Sequence, residues 1–190
     1  MAGDGRIVML PLDAAAAAAA SVGVPAALAP LSVFRMLLHH PRLAKALSDL
    51  LWTLLWESKL DARLRELIIM RIGWATGSVY EWTQHWRIAR GLGMQDEEIL
   101  GVRDWQVRRA YGPAERAVLA ATDETLATGS ITPVTWEACR AHIGDTEALL
   151  ELVVAIGNWR LFSSLLRSLE VPLEDGVEAW PPDGRPPEDG

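Results

Sequence analysis

Three side chains able to move or position protons fall at helical spacing in the stretch "TGSVYEWTQH", residues 76–85: Ser78, Glu81 and His85. On an α-helix these positions share one face over about two turns. His85 is the natural proton carrier, since an unperturbed imidazole titrates near ~6.5. A carboxylate beside it, from Glu81 or Glu66, would hold its tautomer and raise its basicity. Such a pair suits proton removal next to a carbonyl, or protonation of an enolate. Tyr80 could donate a hydrogen bond to developing oxyanion charge. The same spacing has a structural reading. Ser78-x-x-Glu81 is a capping box, in which the hydroxyl takes one free N–H and the carboxylate reaches back to another. Glu81 and His85 are then an ordinary i,i+4 pair. On spacing alone the structural reading comes first.

The element just before this stretch must position its partners. From Leu67 to Ala75 only Arg71 is charged, so the helix "ARLRELIIMRIGWAT" is apolar almost all round and expected to be buried on most sides. Asp61 caps its start and Gly77 stops it. Glu66 and Arg71 are therefore expected to be partly desolvated. Buried charge is costly unless paired, and burial pushes acid pKa values up. Glu66 reads equally as an ion-pair partner of Arg71 and as a member of the site; tertiary packing decides whether it reaches the Ser78 face. Trp74, Trp82, Trp86 and Trp159 could wall a dry pocket, or fill the core or an interface.

Elsewhere the pattern is helical nearly throughout. Asp13 can cap an Ala-rich run that Pro25 and Pro30 close. "SVFRMLLHH" predicts a short helix ending before Pro41, with His39 and His40 near its terminal carbonyls. "RLAKALSDLLWTLLWES" carries leucines at helical spacing. Acids open "QDEEIL", Pro113 starts "AERAVLAATDETLATG", and Thr132 with Pro133 starts another helix. A long helix runs from Asp145 or Thr146 to about Leu169. No alternating strand is evident. The expectation is an all-α fold of roughly eight helices, divided into an Ala-rich helix and loop over 1–30, a helical domain over 31–172, and an acidic Pro/Gly-rich tail over 173–190.

Composition narrows the function. At 190 residues the chain can bury a sizeable core. A net charge of −7 argues against a nucleic-acid groove. The single Cys139 excludes an intramolecular disulfide and a cysteine metal cluster, and suits a reducing compartment. Trp supplies 9 of the aromatics against 2 Tyr and 2 Phe, which hints at an apolar cavity or an oligomer contact. The uncharged stretch from Ala14 to Leu31 is Ala-rich and broken by prolines, a poor membrane span and a poor signal peptide. A soluble, cytoplasmic protein is expected. Glu66, Glu81 and His85 match no strong metal motif, so no metal is expected. His142 has no matching motif.

The segment "LDARLRELIIMRIGWATGSVYEWTQHWRIARGLGMQDEEI" resembles the carboxymuconolactone decarboxylase family, which includes the alkylhydroperoxidase D-like (AhpD-like) proteins. Weaker resemblance extends to "VFRMLLHHPRLAKAL" and to "LLELVVAIGNWRLFSSLLRSLEVPLE". The thiol branch of that family carries a glutamate, a Cys-x-x-Cys twelve positions on, and a histidine four after the second Cys. The matching positions here are Glu66, Ser78, Glu81 and His85, with both cysteines replaced. Ser and Glu cannot form a disulfide, so thiol-dependent peroxidase activity is expected to be missing. The resemblance to cysteine-free, decarboxylase-like members implies an AhpD-like fold and a homo-oligomer, trimeric or larger.

The function expected is therefore cofactor-free acid–base chemistry on a small lactone or keto compound, as a lyase (decarboxylase) or isomerase. His85, Glu81 and Glu66 carry the chemistry. Tyr80, Arg71, Trp82, Ser78, Trp74 and Trp159 are candidates to bind the substrate. Two glutamates would repel an anionic substrate unless one is protonated or Arg71 offsets them, which favours a neutral keto or lactone compound. The competing reading is a non-catalytic ligand-binding or assembly protein. A peroxidase would need Cys139 to act alone, outside the motif.

Overall fold

The computed structural model describes residues 5–179. Among these it contains nine α-helices, one 3₁₀ turn and no strand, the all-α fold expected. The helices are α1 (Leu12–Val22), α2 (Ser32–Leu37), α3 (Pro41–Trp56), α4 (Ala62–Thr76), α5 (Val79–Gly91), α6 (Asp96–Leu100), α7 (Pro113–Thr128), α8 (Pro133–Ile143) and α9 (Thr146–Leu169), with the 3₁₀ turn at Gly101–Arg103. Contacts divide the chain into two units. One comprises the residues up to Glu57 with Leu165–Glu178, and the other contains Ser58–Ser164. The division falls at Glu57 and within α9.

The first unit is built on α1, α2 and α3. Its start is tied by Arg6, whose backbone N–H donates to Leu169 O and whose guanidinium pairs with Glu170. Two local expectations are corrected here. Asp13 does not cap α1: the helix already begins at Leu12, its N-cap is Pro11, and Asp13 sits in the first turn. His40 serves the following helix, since Pro41 occupies its first position and His40 Nδ1 accepts the Leu43 N–H at 3.2 Å. His39 Nε2 instead lies 2.8 Å from Val8 O. Of the acidic tail, Glu174 accepts the Ser32 N–H at 2.9 Å; residues 180–190 lie outside the described residues.

The second unit holds α4 at its centre. Leu67, Ile68, Ile69, Met70 and Ile72 are all fully buried, as an apolar-all-round helix requires. Asp61 Oδ1 accepts the Arg63 and Leu64 N–H groups. At the other end Gly77 takes a left-handed conformation at φ 67°. The Ser78 N–H then reaches back to Gly73 O at 2.9 Å, the 6→1 bond of a Schellman turn. The turn sends α5 straight back along α4, and Gly73 makes the close approach possible: a Cβ there would lie 3.2 Å from Trp82 N. Leu67, Met70, Trp82, Trp86, Ile99, Val102, Tyr111 and Leu119 form one buried cluster beside this helix pair. By length and composition α9 could cross a membrane, but half of the relevant stretch is buried inside the protein. Glu151 on α9 also ties down the entry to α4, accepting from Ser58 Oγ and from the Lys59 and Leu60 N–H groups.

Candidate active site

The α4–α5 turn brings Glu66 back to His85. Glu66 Oε2 lies 2.7 Å from His85 Nδ1, and the Glu66 side chain has no solvent exposure. Its other oxygen, Oε1, accepts from Arg65 Nε at 3.3 Å. His85 Nε2, on the far side of the ring, lies 3.5 Å from Glu81 Oε2. It also accepts the Trp159 Nε1–H at 3.2 Å, the indole meeting the imidazole edge-on at an interplanar angle of 85°. One imidazole is thus held between two carboxylates, on α4 and α5, and capped by an indole from α9.

Burial sets the charges. Burial alone disfavours the imidazolium of His85, but the charge and hydrogen bond of Glu66, with Glu81 behind them, outweigh it and hold the His85 pKa above its ordinary value. Glu81 moves the other way from a solvent-exposed acid. Burial pushes its carboxyl up to about 7; His85 pulls it down and Glu66 adds to the rise. A carboxyl pushed up to about 7 thus lies 3.5 Å from an imidazole nitrogen, a pairing that acid–base catalysis can use.

The capping box does not form. Ser78 is the N-cap residue of α5, but its side chain makes no cap hydrogen bond. The carboxyl of Glu81 is drawn to His85 instead. Ser78 is buried and its Oγ has no hydrogen-bond partner, on the same face of α5 as Glu81 and His85. An unsatisfied buried hydroxyl costs about 1–3 kcal/mol. Ser78→Ala is therefore expected to raise stability, by about 1 kcal/mol, while weakening any ligand that this hydroxyl serves; urea denaturation measures the first and KM the second. Unchanged or lower stability would show that the hydroxyl is satisfied.

The other sequence candidates divide. Trp159 is in the cluster. Arg71 is not: its Nε and Nη2 grip the two Asp123 carboxylate oxygens at 2.6 and 3.1 Å, and Nη1 donates to Val102 O and Arg103 O. Five residues along α4 from Glu66, it projects about 140° around the helix. Arg71, a candidate for substrate binding that the sequence also allows as a structural residue, here ties α4 to α7 and the 3₁₀ turn. Trp82 is fully buried in the hydrophobic cluster and Trp74 packs on it at 5.3 Å between ring centroids, with the Arg103 guanidinium over Trp74. Both belong to the core beside the site. Trp86 joins the same cluster. Tyr80 is buried too, but five residues from His85 it lies about 140° around α5.

Three features had no signal in the sequence reading: Arg65 as the neighbour of Glu66, Asp123 as the partner of Arg71, and Asn158. Asn158 precedes Trp159, is buried, and neither amide atom has a hydrogen-bond partner. Cys139 lies on α8, buried, with Sγ 3.5 Å from Ala117 O. Burial, with Glu124 adding to it, pushes its thiol up to about 11, which leaves little thiolate near neutrality. Among the described residues no group of three His, Cys, Asp or Glu is placed to hold a metal ion.

Comparison with known proteins agrees with this architecture. The model of the carboxymuconolactone decarboxylase family matches residues 41–124, which spans α3 to α7 and includes Glu66, Glu81 and His85. A solved structure described as an alkylhydroperoxidase AhpD core, an uncharacterised peroxidase-related protein from Ralstonia eutropha, is similar over 93% of this chain and 96% of its own, at 18% identity and a TM-score of 0.73. A protein of unknown function from Agrobacterium tumefaciens, suggested to be the antioxidant-defence protein AhpD, is similar over 74% of this chain and 94% of its own, at 25% identity and a TM-score of 0.66. The debrominase Bmp8, in complex with 2,3,4-tribromopyrrole, is similar over 86% of both chains, at 19% identity and a TM-score of 0.65. No curated protein matches the sequence.

Proposed function

We propose that this chain, whose residues 41–124 match the model of the carboxymuconolactone decarboxylase family, is a cofactor-free acid–base enzyme, a lyase or isomerase acting on a small lactone or keto compound. The observation that carries the reading is the fully buried Glu66 carboxylate 2.7 Å from His85 Nδ1. It holds the ring so that the opposite nitrogen, Nε2, is the one able to work. Glu81, its carboxyl raised to about 7, stands beside that nitrogen as the acid.

In an isomerisation, His85 Nε2 takes the proton from the carbon next to the carbonyl, and the Glu81 acid gives its proton to the carbonyl oxygen. On a β,γ-unsaturated substrate the resulting dienol returns its oxygen proton to Glu81 and the imidazolium protonates the γ carbon, so the double bond moves into conjugation. In a decarboxylation, the electrons of the breaking carbon–carboxylate bond flow into the carbonyl as CO2 leaves, and Glu81 protonates the enolate oxygen. The His85 imidazolium then protonates the carbon as the enol returns its oxygen proton to Glu81, so one proton is consumed overall. The isomerase version fits the charges better. The Glu66 carboxylate stands in the site while Arg71 is held by Asp123, so a neutral substrate meets less repulsion than a carboxylate. Thiol peroxidase chemistry is disfavoured, since Ser78 and Glu81 stand at the cysteine positions and the Cys139 thiol is buried.

We propose that the protein is a cytoplasmic homo-oligomer, trimeric or larger. Leu150, Val153, Val154 and Leu161 support assembly by forming an exposed apolar row on α9. A panel of lactones and β-keto acids in heavy water, followed by NMR, tests the chemistry. Deuterium is expected at the carbon beside the carbonyl, or CO2 release above the enzyme-free rate. A ligand that binds without exchange or product would instead make this a binding protein. Peroxide reduction that survives Cys139→Ser would exclude Cys139 as a nucleophile.

A further inference from the structure

The indole N–H of Trp159 points at the one nitrogen of His85 that the proposed chemistry requires. An indole nitrogen only donates. The imidazole nitrogen 3.2 Å from it must therefore present a lone pair, and the ring's own proton must sit on Nδ1, donated to Glu66 Oε2 at 2.7 Å. Protonation at Nε2 would set two N–H groups against each other. Yet the charged groups around the ring pull towards protonation. On α4, Glu66 lies against Nδ1 with Arg65 beyond it; on α5, Glu81 lies 3.5 Å from Nε2. From α9 comes the neutral Trp159. Two states thus compete at a single atom: a neutral imidazole that accepts from Trp159, and an imidazolium that donates to Glu81.

We infer that Trp159 is a positioning residue whose indole N–H keeps His85 in its Nδ1–H tautomer with the Nε2 lone pair available, opposing the two carboxylates that would otherwise hold the ring protonated. The role deepens the acid–base reading of this site, but its test needs no substrate.

The test is ¹⁵N NMR of the histidine rings in the full-length chain across pH, with His85 assigned by the resonances lost in His85→Gln. In the wild type the neutral ring is expected to be protonated at Nδ1, and the Trp159 indole proton is expected to shift with the same midpoint as the ring. Trp159→Phe keeps an aromatic ring and deletes the donor. It should raise the His85 midpoint by about half to one pH unit, roughly three- to tenfold in proton affinity. An Nε2–H neutral tautomer in the wild type, or an unmoved midpoint in a folded Trp159→Phe protein, overturns the inference. If that variant fails to fold, the wild-type indole resonance decides: an indole proton indifferent to the His85 titration refutes the bond. An intact tautomer in a protein that exchanges no substrate proton would discard the enzyme reading and leave this one standing.

Discussion

His85→Gln is expected to reduce turnover by about 10²–10⁴-fold while the chain still folds. Glutamine fills much of the space of the imidazole, and its amide can donate to Glu66, so the buried carboxylate keeps a partner. What disappears is the group that accepts and returns a proton near neutral pH. The measurement is deuterium incorporation or product formation on the substrate found in the heavy-water screen, set beside circular dichroism to confirm the fold. A folded variant with wild-type turnover would remove His85 from the chemistry. The loss should also exceed that of Trp159→Phe, because the indole only prepares the base. If the two variants lose activity equally, the order of roles proposed here is wrong.

The parts of this architecture written in the sequence are those held by neighbours in the chain. Asp61 accepting from Arg63 and Leu64, the left-handed Gly77, and Thr132 ahead of Pro133 each act within a few residues, and each stands where its residue type requires. The common face of Ser78, Glu81 and His85 follows from helical spacing. The pairing of Glu66 with His85 does not. It depends on how α5 folds back along α4, and that depends on Gly73 allowing close approach. Arg71 shows the limit most clearly. A cation alone in the apolar stretch from Leu67 to Ala75 must find an anion, but nothing near it in sequence identifies Asp123, 52 positions later. The capping box failed for a different reason. The motif is real as spacing, but the same carboxyl has a second local partner, His85 four residues along α5, and lies 3.5 Å from its Nε2. Trp159 was legible as apolar bulk; its N–H became a functional group only once α9 lay against the ring.

Glu81→Gln is expected to make the protein more stable in a way that depends on pH. The Glu81 carboxyl titrates at about 7 when folded, against 4.5 for the ordinary group, chiefly because it is buried. Between those values the folded chain holds a proton that the unfolded chain has released. The resulting contribution to stability is fully present below about pH 4.5 and is lost as pH rises through about 7, where the buried group must ionise. Glutamine resembles the protonated acid and never ionises. The variant should therefore match the wild type near pH 4 and exceed it by about 3 kcal/mol near pH 8, a rise in melting temperature of about 6–12 °C for a chain of this size. Chemical denaturation at the two pH values measures it. A stability difference that is the same at both would mean that Glu81 enters the folded site already ionised. The acid in the proposed mechanism would then have to be another group. With the expected result, the same substitution that stabilises the protein removes the proton donor, and turnover should fall as stability rises. A carboxyl kept at this position despite its cost above neutral pH is what a site selected for proton transfer, and not for stability, would retain.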